Sequence, residues 1–417
     1  MTFGERLREL MTEQGVGVRE LARSVPCDPG HLSKLRLGHK MPSERLAQRL
    51  DGLLAAGGEL AVLAQTTVEE AESFDTDSIT DGDRDVAAED VVELAAWLEQ
   101  SNVGDGAIGY LEISTRRLTF DYPRRPPLEV LDAGRALQVR VTQILRDGRQ
   151  RLGQTKALLS MSAELFALIN LLAGDVGRYP LADAYGYAAW TCADEADSDS
   201  ARALVLCAQS KTARWEGRYA AAAELARRGF ELAPAGARGR ILLAVSEAAA
   251  LQLSGDLEAA HQALRRAQES RDQVRAADET ADAWSCPRPR QETYAIQVGL
   301  GARDPAAMLR SVRAADDAWA DGDPLVYGTW AQVRIGAALA HVLLGEPARA
   351  AEELAPVFEL DPEYRVVTII GRLSEVSRRL GHSRYKGDPR AAALRDQIRA
   401  FQAGSLEHKA LATPEVP

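Results

Sequence analysis

The sequence is poor in cysteine and asparagine and lacks a long apolar run. Its four cysteines lie far apart and form no CxxC pair, which argues against a disulfide framework and against a zinc site. No stretch of about 18 consecutive apolar residues occurs, so no transmembrane helix is expected. The first ten residues are charged where a signal peptide would be apolar. These absences predict a cytoplasmic protein.

Motifs that carry enzyme chemistry are also missing. The sequence has no GxSxG nucleophile turn, no Walker loop, no HExxH motif and no GxGxxG after a strand. We therefore expect neither an enzyme nor a bound cofactor. An acidic group after Cys192 lacks the spacing of a calcium loop, so no metal site is expected either. A solvated loop between helices is the favoured interpretation of its members, Asp194, Glu195, Asp197 and Asp199.

What the sequence does have is the balance of a soluble globular protein, with 46% hydrophobic and 27% charged residues. At 417 residues it is too long for one ordinary core, so two or more domains are expected. The net charge of −11 is concentrated in residues 66–100, which hold 12 acidic residues and one arginine. Residues 1–65 carry a net charge of only +1, so the acidic total does not exclude a nucleic-acid partner.

Residues 1–65 predict a bundle of short helices. The first helix begins with a capping box formed by Thr2 and Glu5. In the third helix, helical spacing directs Leu32 and Leu35 towards the core. The fourth helix is predicted to carry an apolar stripe made of Leu46, Leu50, Leu53 and Leu54.

The following segments are predicted to be less regular. Residues 66–85 are polar and acidic, as in a flexible linker. Regular structure is expected to return near residue 86, with an apolar stripe made of Val91, Leu94, Trp97 and Leu98. Residues 101–130 are expected to be irregular, since a continuous helix is precluded by Pro123, Pro126 and Pro127. Residues 402–417 are interpreted as a frayed tail.

From about residue 130 to residue 401 the chain predicts paired helices. An apolar helix, a short turn and an alanine-rich helix recur, and the turn glycines 217, 255, 301 and 345 are 38, 46 and 44 residues apart. Small residues let two helices pack closely, so the pattern indicates an α-solenoid of helical hairpins over residues 86–401. Four aromatic residues at helical spacing are interpreted as core rather than pocket, namely Tyr185, Tyr187, Trp190 and Trp215.

Residues 4–56 resemble the Cro/CI-type (XRE-like) helix-turn-helix family. The matching segments are GERLRELMTEQGVGVRELARSV, DPGHLSKLRLG and MPSERLAQRLDGLL. With its degenerate tetratricopeptide-like region, the whole chain is similar to an actinobacterial regulator architecture. The resemblance implies a small helix-turn-helix domain at 1–65 that binds double-stranded DNA, in a transcriptional regulator that acts as a homodimer.

The resemblance also implies that the third helix enters the major groove. Its outward positions are Gly30, Ser33, Lys34 and Leu37, with His31 at the edge. Lys34 can donate to guanine, and Ser33 to a base or a phosphate. Phosphate contacts are expected from Arg19, Arg36, His39 and Lys40. Two departures from the family pattern are Pro26 at a turn glycine and the loss of an acidic–arginine pair at Arg36 and Met11.

Two questions stay open at the level of sequence. The chain is also compatible with a protein–protein interaction scaffold whose helix-turn-helix binds DNA weakly or not at all. The ligand of the repeat domain is equally open between a peptide, a small molecule and a protein. Extended peptides in such solenoids are commonly held by asparagine ladders, whereas the paired-helix region at 130–401 contains only Asn170.

Overall fold

A computed structural model of the protein describes residues 2–25, 29–38, 42–64, 93–237, 239–274 and 281–404. The predicted linker at 66–85 and the predicted tail from residue 405 onward lie outside the described residues. Within these ranges the chain is all-α, as predicted, with twenty helices and no strand.

The first six helices are α1 (Phe3–Glu13), α2 (Val18–Ser24), α3 (Pro29–Arg36), α4 (Glu44–Leu53), α5 (59–64) and α6 (93–99). The others are α7 (Asp105–Asp121), α8 (Pro127–Arg146), α9 (Leu152–Asp175), α10 (Tyr179–Glu195), α11 (Asp199–Trp215), α12 (Tyr219–Leu232), α13 (Gly239–Ser254), α14 (Leu257–Arg271), α15 (Arg288–Gly301), α16 (Pro305–Ala320), α17 (Tyr327–Leu344), α18 (Pro347–Phe358), α19 (Val367–Leu380) and α20 (Pro389–Gln402). Packing divides the chain into two compact units, one ending at Ala96 and one beginning at Trp97.

The first unit is a small bundle with a leucine core. Leu7, Leu32, Leu35 and Leu50 are all 0% exposed, which places α1, α3 and α4 around one centre. The predicted capping box at Thr2 is present, since Thr2 N donates to Glu5 Oε2 at 2.8 Å and Glu5 N donates to Thr2 Oγ1 at 3.3 Å. Local helix signals and inward leucine spacing therefore agree.

The predicted stripe on α4 is wrong at Leu53, which is 47% exposed. The buried positions of this helix are Ala47, Leu50 and Leu54, spaced by three and four residues, and Leu53 falls on the flank of that face. The buried Asp51 carboxylate accepts the N–H groups of Gly58 at 2.7 Å and Leu60 at 2.8 Å. Asp51 thereby caps the start of α5 and holds it against α4.

The second unit confirms the predicted α-solenoid. Six helical hairpins follow one another, from α9/α10 to α19/α20, and the first helix of each hairpin contacts the first helix of the next. Several of these first helices are buried over long stretches; in α13 every residue from Ile241 to Ala250 is buried. The second helices bury small residues, for example Ala260, Ala263 and Ala267 of α14, which allows close packing on the inner layer.

Three of the four predicted turn glycines have the expected left-handed conformation. Gly217, Gly255 and Gly345 have φ values of 88°, 93° and 88°. Gly301 does not; it ends α15, and Arg303 takes the left-handed position with φ of 55°. Gly301 serves close packing instead, since a Cβ there would lie 2.5 Å from Gln252 Nε2.

The expectation of irregular structure at 101–130 is wrong, because α7 covers Asp105–Asp121. Its buried residues Ile108, Leu111, Thr115 and Leu118 follow helical spacing, with the two threonines of the helix obscuring the pattern in the sequence. The prolines lie after α7, and Pro127 occupies the first turn of α8. They separate two helices and do not disrupt either one.

Several apolar side chains of α6 and α7 lie on the surface of the described structure. Leu94, Trp97 and Leu98 of the predicted stripe are 54%, 64% and 57% exposed. Tyr110, Ile113 and Phe120 on the outer face of α7 are 59%, 64% and 48% exposed. The helical stripe is present in α6, but it does not pack into a core.

Helix α9 is long and apolar enough to pass a simple test for a membrane span. However, 78% of its most apolar window is buried inside the protein. This is the pattern of a central core helix in a soluble protein.

The repeat domain closes on itself around an interior. Helix α19 of the last hairpin contacts α9 of the first. The segment before α15 also crosses the interior: Ala283 N donates to Thr119 O at 2.9 Å, and Trp284 Nε1 donates to Glu164 Oε1 at 3.1 Å. These contacts place the segment before α15 across the concave face of the solenoid and leave a partly open cavity.

Candidate functional site

Helix α3 is the predicted DNA-reading helix, and two leucines fix its orientation. Leu32 and Leu35 are 0% exposed and belong to the same core as α1 and α4. On the opposite side, Gly30 and Lys34 are exposed and Leu37 is 53% exposed. The buried and exposed positions expected from helical spacing are therefore confirmed for these five residues.

The remaining predicted contacts are less exposed or lie outside the described residues. Ser33, His31 and Arg36 are half-buried, and the Nε of Arg36 is buried without a hydrogen-bond partner in the described chain. The side chain of Arg19 and the whole of His39 and Lys40 lie outside the described residues. The structure thus brings Gly30, Ser33 and Lys34 together on one helix face.

Close packing against α1 holds α3 in position. A Cβ on the buried Gly4 would lie 2.8 Å from Leu35 O and 2.9 Å from Gly38 N, so the two helices meet backbone to backbone there. The far side of α1 is tied to α5 by Arg6, whose Nε lies 2.7 Å from Glu59 Oε2. The exposed face of α3 is consequently carried by a helix with little freedom to shift.

A second candidate site is the partly open cavity of the repeat domain, with a volume of about 600 Å³. The inner helices α11, α15, α17 and α19 supply most of its walls. Six cationic side chains line it: Arg378 and Arg379 at the rim, and four that lie deeper, namely Lys211, Arg214, Arg290 and Arg372. Among the described residues, none of the four has a carboxylate oxygen within the 4.0 Å of an ion pair.

Lys211 is the most deeply buried of these cations, at 3% exposure. Its Nζ makes no hydrogen bond within the described chain, and its closest ring contacts are the Trp215 centroid at 5.7 Å and the Tyr122 centroid at 6.0 Å. Burial, followed by the charge of Arg290, lowers the pKa of Lys211 to about 7. The ammonium group is thus held where its charge is poorly compensated.

Arg214 and Arg372 are similarly under-satisfied. Arg372 Nη2 donates to Gln297 Oε1 at 3.1 Å, whereas its Nη1 is buried without a partner. The Nε of Arg214 is buried without a partner as well. Burial, followed by the charge of Arg214, lowers the pKa of Arg372 to about 10.

Arg290 is held differently, because it braces the interior segment. Its Nη1 donates to the carbonyl oxygens of Ser285 at 2.6 Å and Ala283 at 3.2 Å. These bonds fix the segment that closes one side of the cavity, while the guanidinium group remains without an acidic partner in the described chain.

The acidic residues of the cavity wall are occupied by other groups. Asp175 accepts a hydrogen bond from Tyr122 Oη at 2.6 Å, and burial raises the pKa of Asp175 to about 6. Asp282 accepts the N–H groups of Trp284 and Ser285, each at 2.9 Å. Glu375 lies in ion pairs with the rim residues Arg378 and Arg379. Within the described part of the chain, the cations deeper in the cavity have no ion-pair partner.

Sequence reasoning missed this cavity and misplaced one of its residues. Trp215, interpreted as core, lines the cavity, and its indole Nε1 is buried without a partner in the described chain. The available signal was the cationic pair Lys211 and Arg214, three residues apart near the end of one repeat helix. Asn170 is 1% exposed and donates to Ala182 O at 2.7 Å, so it has no role in gripping a ligand.

The acidic group near Cys192 surrounds the short connection between α10 and α11, but only Asp197 lies in the loop: Asp194 and Glu195 end α10, and Asp199 begins α11. Arg202 lies within 3.2 Å of carboxylate oxygens of Asp194, Asp197 and Asp199. Among the described residues, no cluster of His, Cys, Asp and Glu has the arrangement of a metal site.

Comparison with known proteins adds no name to this architecture. No family model matches the chain, and no curated protein matches it in sequence. The functional argument therefore depends on the geometry of α3 and of the cavity.

Proposed function

We propose that the protein is a sequence-specific DNA-binding transcriptional regulator of the Cro/CI type. It acts as a homodimer, and its helical-repeat domain serves as a sensor and dimerisation domain. The observation that carries the proposal is the orientation of α3, where Leu32 and Leu35 are fully buried and Lys34 and Gly30 face outward. A cationic, sterically open helix face on a packed bundle suits the major groove.

In this mode of binding, Lys34 donates to O6 or N7 of a guanine, and Ser33 donates to a neighbouring base or phosphate. Gly30 has no side chain, so the helix backbone can approach the DNA closely. Arg19, Arg36, His39 and Lys40 are the proposed phosphate contacts, with His31 at the edge of the interface. Their contribution weakens with salt because binding releases counterions from the DNA.

Dimer formation is proposed through the outer face of α7. Tyr110, Ile113 and Phe120 expose apolar surface on one side of this helix, at the start of the repeat domain. A two-fold contact through this face would present two copies of α3 to a palindromic operator.

The same exposed face favours the alternative function. Apolar side chains on α7, together with Trp97 and Leu98 on α6, are also what a protein–protein interaction scaffold offers to a different partner. In that case DNA binding by the first unit is weak or lost.

The test is fluorescence anisotropy with operator fragments recovered from a genomic footprint of the full chain. Lys34→Ala is expected to weaken specific binding by about 1–3 kcal/mol and to relax preference at one base pair. Arg8→Ala, which removes an exposed charge from α1 in the same unit, is the matched control. Equal affinity of both variants and the parent for all sequences would reject α3 as the reading helix and leave the scaffold function.

A further inference from the structure

The cavity of the repeat domain concentrates positive charge, and four of its cations have no ion-pair partner among the described residues. Lys211, Arg214, Arg290 and Arg372 come from three different helices, α11, α15 and α19, and converge on one space of about 600 Å³. Buried cations without partners are costly to keep, since desolvation is not offset by an ion pair. A protein that retains four of them in one cavity has a use for the charge.

The unpaired hydrogen-bonding groups in the cavity wall are also of one kind, since they are all donors. Arg214, Trp215 and Arg372 each carry a buried N–H without an acceptor among the described residues. All three groups are donors, so the wall lacks acceptors rather than donors. Buried polar groups are normally paired, and a set of unpaired donors indicates a missing partner that accepts several hydrogen bonds.

The acidic residues of the cavity wall do not neutralise these cations, because each acid is bound to another group. Tyr122 engages Asp175, backbone N–H groups engage Asp282, and two rim arginines engage Glu375. Among the described residues, none of the three acids forms an ion pair with Lys211, Arg214, Arg290 or Arg372, although Asp175 favours the charge of Lys211 from beyond ion-pair distance.

Aromatic and apolar residues make up another part of the wall. Trp215, Tyr219, Tyr294 and Tyr327 line the cavity beside Leu300 and Val326. The volume is that of a typical small-molecule site, where a few polar groups orient a ligand against apolar surface.

We propose that this cavity binds a small organic anion with at least two negative charges, carried by phosphate or carboxylate groups, and with a ring or apolar part that lies on the aromatic wall. Guanidinium groups suit phosphate and carboxylate because they form charge-assisted, bidentate hydrogen bonds. The inference goes beyond DNA binding and does not depend on it.

The experiment measures anion binding by the full chain at constant ionic strength. Pyrophosphate, citrate, ATP and, for comparison, an acidic peptide are titrated by calorimetry, and the melting temperature is followed in parallel, with sodium chloride and glucose as controls. Pyrophosphate and citrate distinguish phosphate from carboxylate recognition, and ATP adds the ring. At least one of the three anions is expected to bind saturably with Kd below about 1 mM and to raise the melting temperature.

Variants tie the binding to the cavity. Lys211→Met and Arg372→Met are each expected to weaken binding by about tenfold or more, as expected for lost charge-assisted bonds. Lys156→Met and Arg310→Met remove exposed charges of the same type from α9 and α16 and are expected to bind like the parent. Lys211→Arg keeps the charge and is expected to retain binding, which separates the loss of charge from the loss of the lysine side chain.

Three outcomes overturn the proposal. The first is an absence of saturable binding of all three anions to the parent protein. The second is equal binding to parent and cavity variants, which indicates only screening at the surface. The third is exclusive binding of an acidic peptide, because it identifies a different class of ligand. None of these results bears on the affinity of α3 for DNA, so the two proposals fail separately.

Discussion

Lys211 combines deep burial with the absence of an acidic partner in the described chain, and this has a consequence for stability. Its pKa falls from an ordinary 10.5 to about 7 in the folded protein, so the unfolded chain binds more protons between these values. Stability should therefore rise as pH increases from about 7 to about 10. Arg290 and Arg214 oppose the ammonium charge, whereas Cys207 and Asp175 favour it.

Lys211→Met is expected to remove this rise and to stabilise the ligand-free protein by roughly 2–4 kcal/mol at pH 7. The free energy of unfolding is measured by urea denaturation at pH 7 and at pH 9.5. Lys156→Met, on the exposed side of α9, provides the control and should keep the slope of the parent. A variant with the same pH dependence as the parent would contradict the assignment of the slope to Lys211.

At the residue level, the burial of a side chain could be predicted from the sequence where it depends only on spacing within one helix. The inward positions of Leu32 and Leu35 follow from helical spacing alone. The environment of Lys211 does not, because it is created by Tyr122 after α7, Asp175 at the end of α9 and Arg290 in α15. No local pattern in α11 reports on groups so distant in sequence.

At the level of the helix, the contact between α1 and α3 is set by one missing side chain. Gly4→Ala would place a Cβ 2.8 Å from Leu35 O and push α3 away from its position. We expect a loss of about 1–3 kcal/mol in stability and weaker DNA binding, because the exposed face moves with the helix.

Thermal denaturation and anisotropy check this expectation. Gly52→Ala, in α4, is the matched control, since nothing lies within 4 Å of its Cβ and alanine favours a helix. Unchanged stability and affinity of the Gly4 variant would show that α1 and α3 are free to adjust.

The hairpins of the repeat domain were predictable because each contains the same local sequence pattern of an apolar helix, a short turn and an alanine-rich helix. Helix α7 was not, because threonines occupy two positions of its helical stripe and three prolines follow it. Its burial is decided by packing on α8 and α9, which the local sequence does not encode. Gly301 was misinterpreted as a turn residue for the same reason, because its close packing against Gln252 of a neighbouring hairpin is a contact that the local sequence does not encode.

At the level of the whole molecule, the outer face of α7 predicts the oligomeric state. Ile113→Lys is expected to shift the protein from dimer to monomer, because a charge replaces an apolar side chain in the proposed contact. Sedimentation velocity measures the change. Val139→Lys on α8 is a control matched in exposure, as both residues are 64% exposed. A parent protein that is monomeric, or a dimer that tolerates Ile113→Lys, would remove α7 from the interface.

The contact between α19 and α9, with the interior segment that reaches α7, changes how the repeat domain should unfold. Linear repeat arrays couple only neighbours, so their ends fray first and stability grows with the number of repeats. Here the last hairpin supports the first, and opening either end exposes the charged interior to water. The array therefore gains the cooperativity of a closed ring. Its terminal hairpins should exchange amide hydrogens as slowly as its central ones.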